Sequence, residues 1–84
     1  MRVLLIEDEK PAARRLERML NDFDIENIDM VHSVEEAVNY FTSHPVPDLM
    51  FLDIQLSDGL SFEIFEHVQV SAPIIFTTAF DEYA

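Results

Sequence analysis

Four side chains in this 84-residue chain carry groups that could handle charge at the ends of apolar runs: Glu7, Asp8, Asp53 and Thr78. Val3-Leu4-Leu5-Ile6 leads into Glu7 and Asp8, and Leu49-Met50-Phe51-Leu52 leads into Asp53. Pro73-Ile74-Ile75-Phe76 ends in Thr77-Thr78-Ala79. Continuous apolar runs suit strands buried on both faces, as in a parallel sheet. If these three strands are neighbours, three carboxylates and a hydroxyl converge. Carboxylates a few ångströms apart raise one another's pKa and need a counter-charge. A hard divalent cation supplies it, and oxygen-only ligands with open positions suit Mg²⁺. Such a metal could hold a phosphoryl oxygen, and one carboxylate could attack phosphorus to give an aspartyl phosphate.

The elements that must position these groups alternate between strand and helix. Pro11 suits the first turn of a helix, where its missing N–H costs nothing. Ala12, Leu16, Met19, Leu20 and Phe23 follow at helical spacing, and Arg14, Arg15 and Arg18 fall mainly on other faces. A weaker strand covers about Ile28 to Val31. Ser33-Val34-Glu35-Glu36 reads as a capping box opening a second helix, with Val34, Ala37, Val38 and Phe41 as its stripe. His44-Pro45-Val46-Pro47 stops that helix. Gly59 is expected to start a third helix carrying Leu60, Ile64, Phe65 and Val68, and Asp81 to Ala84 read as the first turn of a fourth. The whole predicts one α/β domain with right-handed crossovers in a doubly wound parallel sheet. Such sheets include the flavodoxin-like strand order 2-1-3-4-5, with active groups past the carboxyl ends of the strands.

Composition narrows the function. The formal net charge is −12, yet all five basic residues (Arg2, Lys10, Arg14, Arg15, Arg18) lie in the first 18 positions. Four of the 17 acids lie there too, which leaves 13 acids and no Lys or Arg beyond Arg18. Such a surface repels phosphate backbones and prefers cations or a basic partner, so the chain by itself is a poor nucleic-acid binder. With 49% hydrophobic residues it can build a core. Cysteine is absent, which removes disulfides, zinc–thiolate sites and thiol nucleophiles. No secretory signal and no apolar run of roughly 18 residues is present, so a soluble cytoplasmic protein is expected, with no membrane contact. His32, His44 and His67 lack ligand spacing and read as ordinary surface or core-edge residues. The phenylalanines read as core positions.

Taken together, Val3 to Glu9, Asp48 to Ile54, Gly59 and Pro73 to Ala79 resemble the receiver domains of two-component response regulators, in order and in spacing. The resemblance covers the whole chain. The stretch from Phe76 to Ala84 is similar to receivers that precede a LytTR-type DNA-binding domain. The resemblance implies that Asp53 is the phosphoacceptor, served by a histidine kinase or phosphotransfer protein. It implies that Asp8 binds Mg²⁺ directly, that Glu7 acts nearby through a water, and that the Gln55 backbone carbonyl is a further ligand. Thr78 would be the switch hydroxyl, with Ala79 leaving it room, and Thr77 would be structural. Arg14, Arg15 and Arg18 would lie near the kinase-docking surface. Such a domain assists its own phosphorylation but is not an enzyme, and it would reach DNA only through a domain outside this chain.

Two departures from the family pattern stand out. The segment Ile54-Gln55-Leu56-Ser57-Asp58-Gly59 is shorter than the usual loop, with Ser57 where proline is common. The family's fifth strand and following lysine have no counterpart, since no lysine follows Lys10. The expectation is therefore a receiver over 1–84 that is incomplete after strand four. Its phosphorylation would be impaired, and its exposed last strand would favour a homodimer. The rival reading is a receiver-like interaction module that does not switch. A dinucleotide or flavin binder would want a glycine-rich or hydroxyl-rich first loop, and Glu7-Asp8-Glu9-Lys10-Pro11 opposes phosphate instead. A haloacid-dehalogenase-like phosphatase would want its nucleophile on the first strand and a later lysine.

Overall fold

The computed structural model describes residues 1–77. Thr78 and the expected fourth helix turn lie outside the described residues. The elements run β1 (Arg2–Ile6), α1 (Lys10–Asn21), β2 (Asn27–Val31), α2 (Val34–Ser43), β3 (Leu49–Asp53), β4 (Gln55–Leu56), β5 (Gly59–Leu60), a 3₁₀ turn (Ser61–Glu63), α3 (Ile64–His67) and β6 (Ile74–Thr77). β1, β2, β3 and β6 form one sheet in the order β2-β1-β3-β6, with every pairing parallel. This is the expected doubly wound order. The strand expected fourth is β6 once the short β4–β5 ribbon is counted.

The apolar run of β1 explains its central place. Val3 to Ile6 are each no more than 1% exposed. Successive strand residues face opposite sides. Leu4 and Ile6 therefore join Met50, Leu52, Ala37, Tyr40, Leu56 and Ile64 on one face, while Val3 and Leu5 pack with Leu20, Leu16, Ile25 and Phe51 on the other. Both faces are covered, which is what a continuous apolar run requires.

Three local expectations are corrected. The buried line of α1 runs through Ala13, Leu16 and Leu20, whereas Met19 and Phe23 are exposed. Phe23 lies beyond Asn21, where the helix has ended, and Asp24 at φ 63 turns the chain so that Ile25 reaches the core. Phe62 and Phe76 are also about half exposed, so not every phenylalanine is a core residue. The third helix does not start at Gly59. Gly59 instead has φ +146, outside helical space, and a Cβ there would collide with the Glu63 carboxylate. That carboxylate accepts the Leu60 N–H at 2.7 Å, and the helix proper is one turn long.

One polar cluster at the opposite end of the sheet had no clear mark in the sequence. The Tyr40 hydroxyl donates to Asp29 at 2.7 Å and accepts from Arg2, whose guanidinium also reaches the Pro45 carbonyl. His44 stacks on the Tyr40 ring with centroids 4.2 Å apart. Burial, then the Asp29 carboxylate, pushes the Tyr40 hydroxyl pKa up. Tyr40→Phe removes the shared atom, so a loss of about 1 kcal/mol is expected, the scale of one net hydrogen bond. Urea unfolding of the two proteins measures it.

Candidate functional site

β1 lies between β2 and β3, so the residues just past its end come out in the middle of the sheet's carboxyl edge. The backbone of Glu7 is held from two sides. Its N–H donates to the Val31 carbonyl at 3.1 Å, and its carbonyl accepts from His32 Nδ1 at 2.8 Å. His32 is thus not an ordinary edge residue, because its ring fixes the backbone of a site acid. Asp53 ends β3 and is only 5% exposed. Glu7, Asp8 and Asp53 each bring a carboxylate oxygen within 4.8 Å of the other two. The cleft above them, about 330 Å³, is lined also by Glu9, Gln55, Leu56 and Ser57.

The electrostatics follow from that crowding. Burial pushes the Glu7 carboxyl up to about 8, and its hydrogen bonds to Asp8 and Asp53 and the Asp53 charge push the same way. The Glu9 N–H, at 3.2 Å from Glu7 Oε2, offsets part of this. Arg2–Asp29 is the one ion pair among the described residues, so no Lys or Arg neutralises the three acids. Near neutral pH a proton on Glu7 does so instead. An all-oxygen donor set of three carboxylates within 4.8 Å, with no basic partner among the described residues, fits a hard divalent cation.

Of the residues singled out from the sequence, Glu7, Asp8, Asp53 and Gln55 meet at one cleft. Thr78 lies outside the described residues. Its neighbour Thr77 is paired in register with Asp53 and lines a groove with Glu7, Glu9, Ala12 and Arg15. Arg14, Arg15 and Arg18 are exposed on α1. Sequence reasoning missed Asp58. Its carboxylate accepts the backbone N–H of Val34 at 2.8 Å and of Glu35 at 3.1 Å. The only local signal was the Ser57-Asp58-Gly59 turn, because the partners lie 24 and 23 residues away.

A doubly wound parallel sheet with an acid cluster past the ends of its first and third strands defines a class of α/β domains whose site lies at the carboxyl edge of the sheet. The model of the response regulator receiver domain matches residues 3–84, and the chain belongs to that family. Among curated relatives, the sensory transduction protein LytT of Bacillus anthracis is 36% identical, with all of this chain aligned to 35% of that protein. LytT of Enterococcus faecalis is 33% identical, again with all of this chain and 36% of that protein. The chain thus spans about a third of the length of these relatives. These names accord with the LytTR-type likeness of the Phe76–Ala84 stretch. Among solved structures, the N-terminal domain of a response regulator/sensory box/GGDEF 3-domain protein from Carboxydothermus hydrogenoformans superposes with a TM-score of 0.85 at 26% identity. That match covers 96% of this chain and 66% of the other. Among the described residues, no helix is long and apolar enough to cross a membrane.

Proposed function

We propose that residues 1–84 form a phosphoacceptor receiver, with Asp53 taking a phosphoryl group from the phosphohistidine of a kinase or phosphotransfer protein. A carboxylate oxygen of Asp53 forms the new P–O bond, the P–N bond breaks, and the imidazole leaves with the electron pair. Glu7, Asp8, Asp53 and the Gln55 carbonyl would hold Mg²⁺, which when bound neutralises charge on the transferring phosphoryl oxygens. Thr78 would couple the modified state to the far face. The domain transforms no external substrate and so is no enzyme. Its output would be transcriptional control in the cytoplasm, through a DNA-binding domain outside these residues. The observation that carries this reading is the convergence of the Asp53, Asp8 and Glu7 carboxylates within 4.8 Å.

The test is to incubate the protein with Mg²⁺ and acetyl phosphate and map any hydroxylamine-labile phosphoryl group by mass spectrometry. An adduct on the Asp53 peptide, absent in Asp53→Asn, is expected. No adduct, or one that survives the substitution, favours instead an interaction module that does not switch by phosphorylation.

A further inference from the structure

The loop that follows Asp53 is unusual in how it is held. It folds back as β4 and β5, whose register is Gln55 with Leu60 and Leu56 with Gly59. A two-residue antiparallel ribbon is too short to be stable by itself. Leu56, next to the tip, is seated in the core at 4% exposure, and at the base the Ser61 N–H donates to the Ile54 carbonyl at 2.9 Å. Its tip, Ser57-Asp58, is exposed. The tip is held by the Asp58 carboxylate, one oxygen on Val34 N–H and the other on Glu35 N–H. Those are the first two N–H groups of α2, and Ser33 Oγ accepts the third, from Glu36, at 3.0 Å. The orphan donors of this helix turn are thus divided between a local cap and a residue from another loop. The two bonds also hold the Asp58 carboxyl below its usual range, the Val34 N–H foremost.

We propose that Asp58 is a positioning residue of the phosphoacceptor site: by clamping the ribbon tip to the start of α2, it fixes the backbone of Gln55 and hence the metal-holding geometry beside Asp53. This rests on the reading of Glu7, Asp8, Asp53 and Gln55 as the Mg²⁺ site. The clamp also gives a shorter loop, with Ser57 where a proline is common, a tertiary restraint at its tip. A charge-assisted pair of bonds to a helix N-terminus does the work of the proline ring.

Asp58→Ala is expected to weaken Mg²⁺ binding by about 10-fold, the lower end of the effect of removing an outer-shell support. Asp58→Asn keeps one acceptor oxygen and should fall between. Ser33→Ala is the control, since it removes a cap from the same helix turn but leaves the ribbon attached. It should lower Tm as Asp58→Ala does and keep wild-type Mg²⁺ affinity. Titration calorimetry reads the affinity, and amide hydrogen exchange over residues 55–60, measured without metal, reads the clamp. Faster exchange in Asp58→Ala and normal exchange in Ser33→Ala support the clamp. Unchanged exchange in Asp58→Ala overturns it. If the wild type binds Mg²⁺ and Asp58→Ala binds it equally well, the positioning role is overturned. A wild type that takes up no Mg²⁺ overturns the reading of the site and the positioning role with it, while exchange still decides the clamp.

Discussion

Asp53→Asn is expected to abolish phosphoryl uptake and at the same time to stabilise the metal-free fold. The two effects share one cause. Asp53 is 5% exposed and sits within 4.8 Å of two further carboxylates. Its charge is useful only when a cation or a phosphoryl group arrives to use it. Without one, it is a carboxylate buried beside Asp8, and it adds to the rise of the Glu7 carboxyl that burial chiefly causes. An amide of the same shape keeps the packing of β3 and removes that repulsion. A gain of about 1 kcal/mol corresponds to roughly 4–8 °C in Tm for a domain of this size. The Glu7 carboxyl should shift down only part of the way in the variant, since its burial, the largest cause of the rise, remains, and NMR titration of the Glu7 side chain can follow it. Thermal melts in a chelator read the stability. A variant that melts below the wild type would show that the Asp53 charge supports the fold, contrary to this account.

The parts of this arrangement that were legible in the sequence share a physical mark. At Ile6-Glu7 and Leu52-Asp53 the chain passes from continuous apolar residues to an acid in one step. A strand end at the sheet's carboxyl edge looks like that because the buried run must stop where solvent begins. Parallel pairing then brings the two edges together without further information. What was not legible depends on which atoms meet across the chain. The Asp58 contact joins residues 24 positions apart, and the grip of His32 on the Glu7 carbonyl joins residues 25 apart. Backbone groups are the partners in both, and every residue has those, so no residue type announces them. The error on α1 has another origin. Of the expected stripe Ala12, Leu16, Met19, Leu20 and Phe23, the sheet takes Leu16 and Leu20 and adds Ala13, while Met19 and Phe23 stay exposed. Periodicity gives the helix and not the angle at which it is rotated onto the sheet.

The second large effect concerns pH and metal together. The Glu7 carboxyl has a folded-state pKa of about 8 against an ordinary value of 4.5. Between those values the folded chain binds more protons than the unfolded one. Stability from this group is therefore fully present below pH 4.5 and declines as pH rises, until it is lost above about pH 8. A divalent ion reverses the trend, because it needs the carboxylates ionised. Below pH 8, binding must displace the Glu7 proton, so apparent Mg²⁺ affinity should fall by up to about tenfold per pH unit. Melts at pH 6 and pH 8.5, each with chelator and with excess Mg²⁺, measure both halves. The expected result is a small Mg²⁺-induced rise in Tm at pH 6 and a large one at pH 8.5. An equal rise at both values would mean that Glu7 is not the group exchanging its proton for the ion. Glu7→Gln should flatten the pH trend in chelator, since it removes the titrating group and leaves Asp8 and Asp53 in place.

The central position of β1 also orders events in time. One of its neighbours, β2, follows within 25 residues, but the chain that supplies the other returns only at Asp48, 46 positions from Arg2. A ribosome adding roughly 5–20 residues per second takes several seconds to cover that interval. Until then Leu4 and Ile6 have no Met50 or Leu52 to pack against, and one edge of the most apolar strand stays unpaired. The residues that make the site's foundation the most buried part of the finished protein are therefore made well before the strand that completes their enclosure.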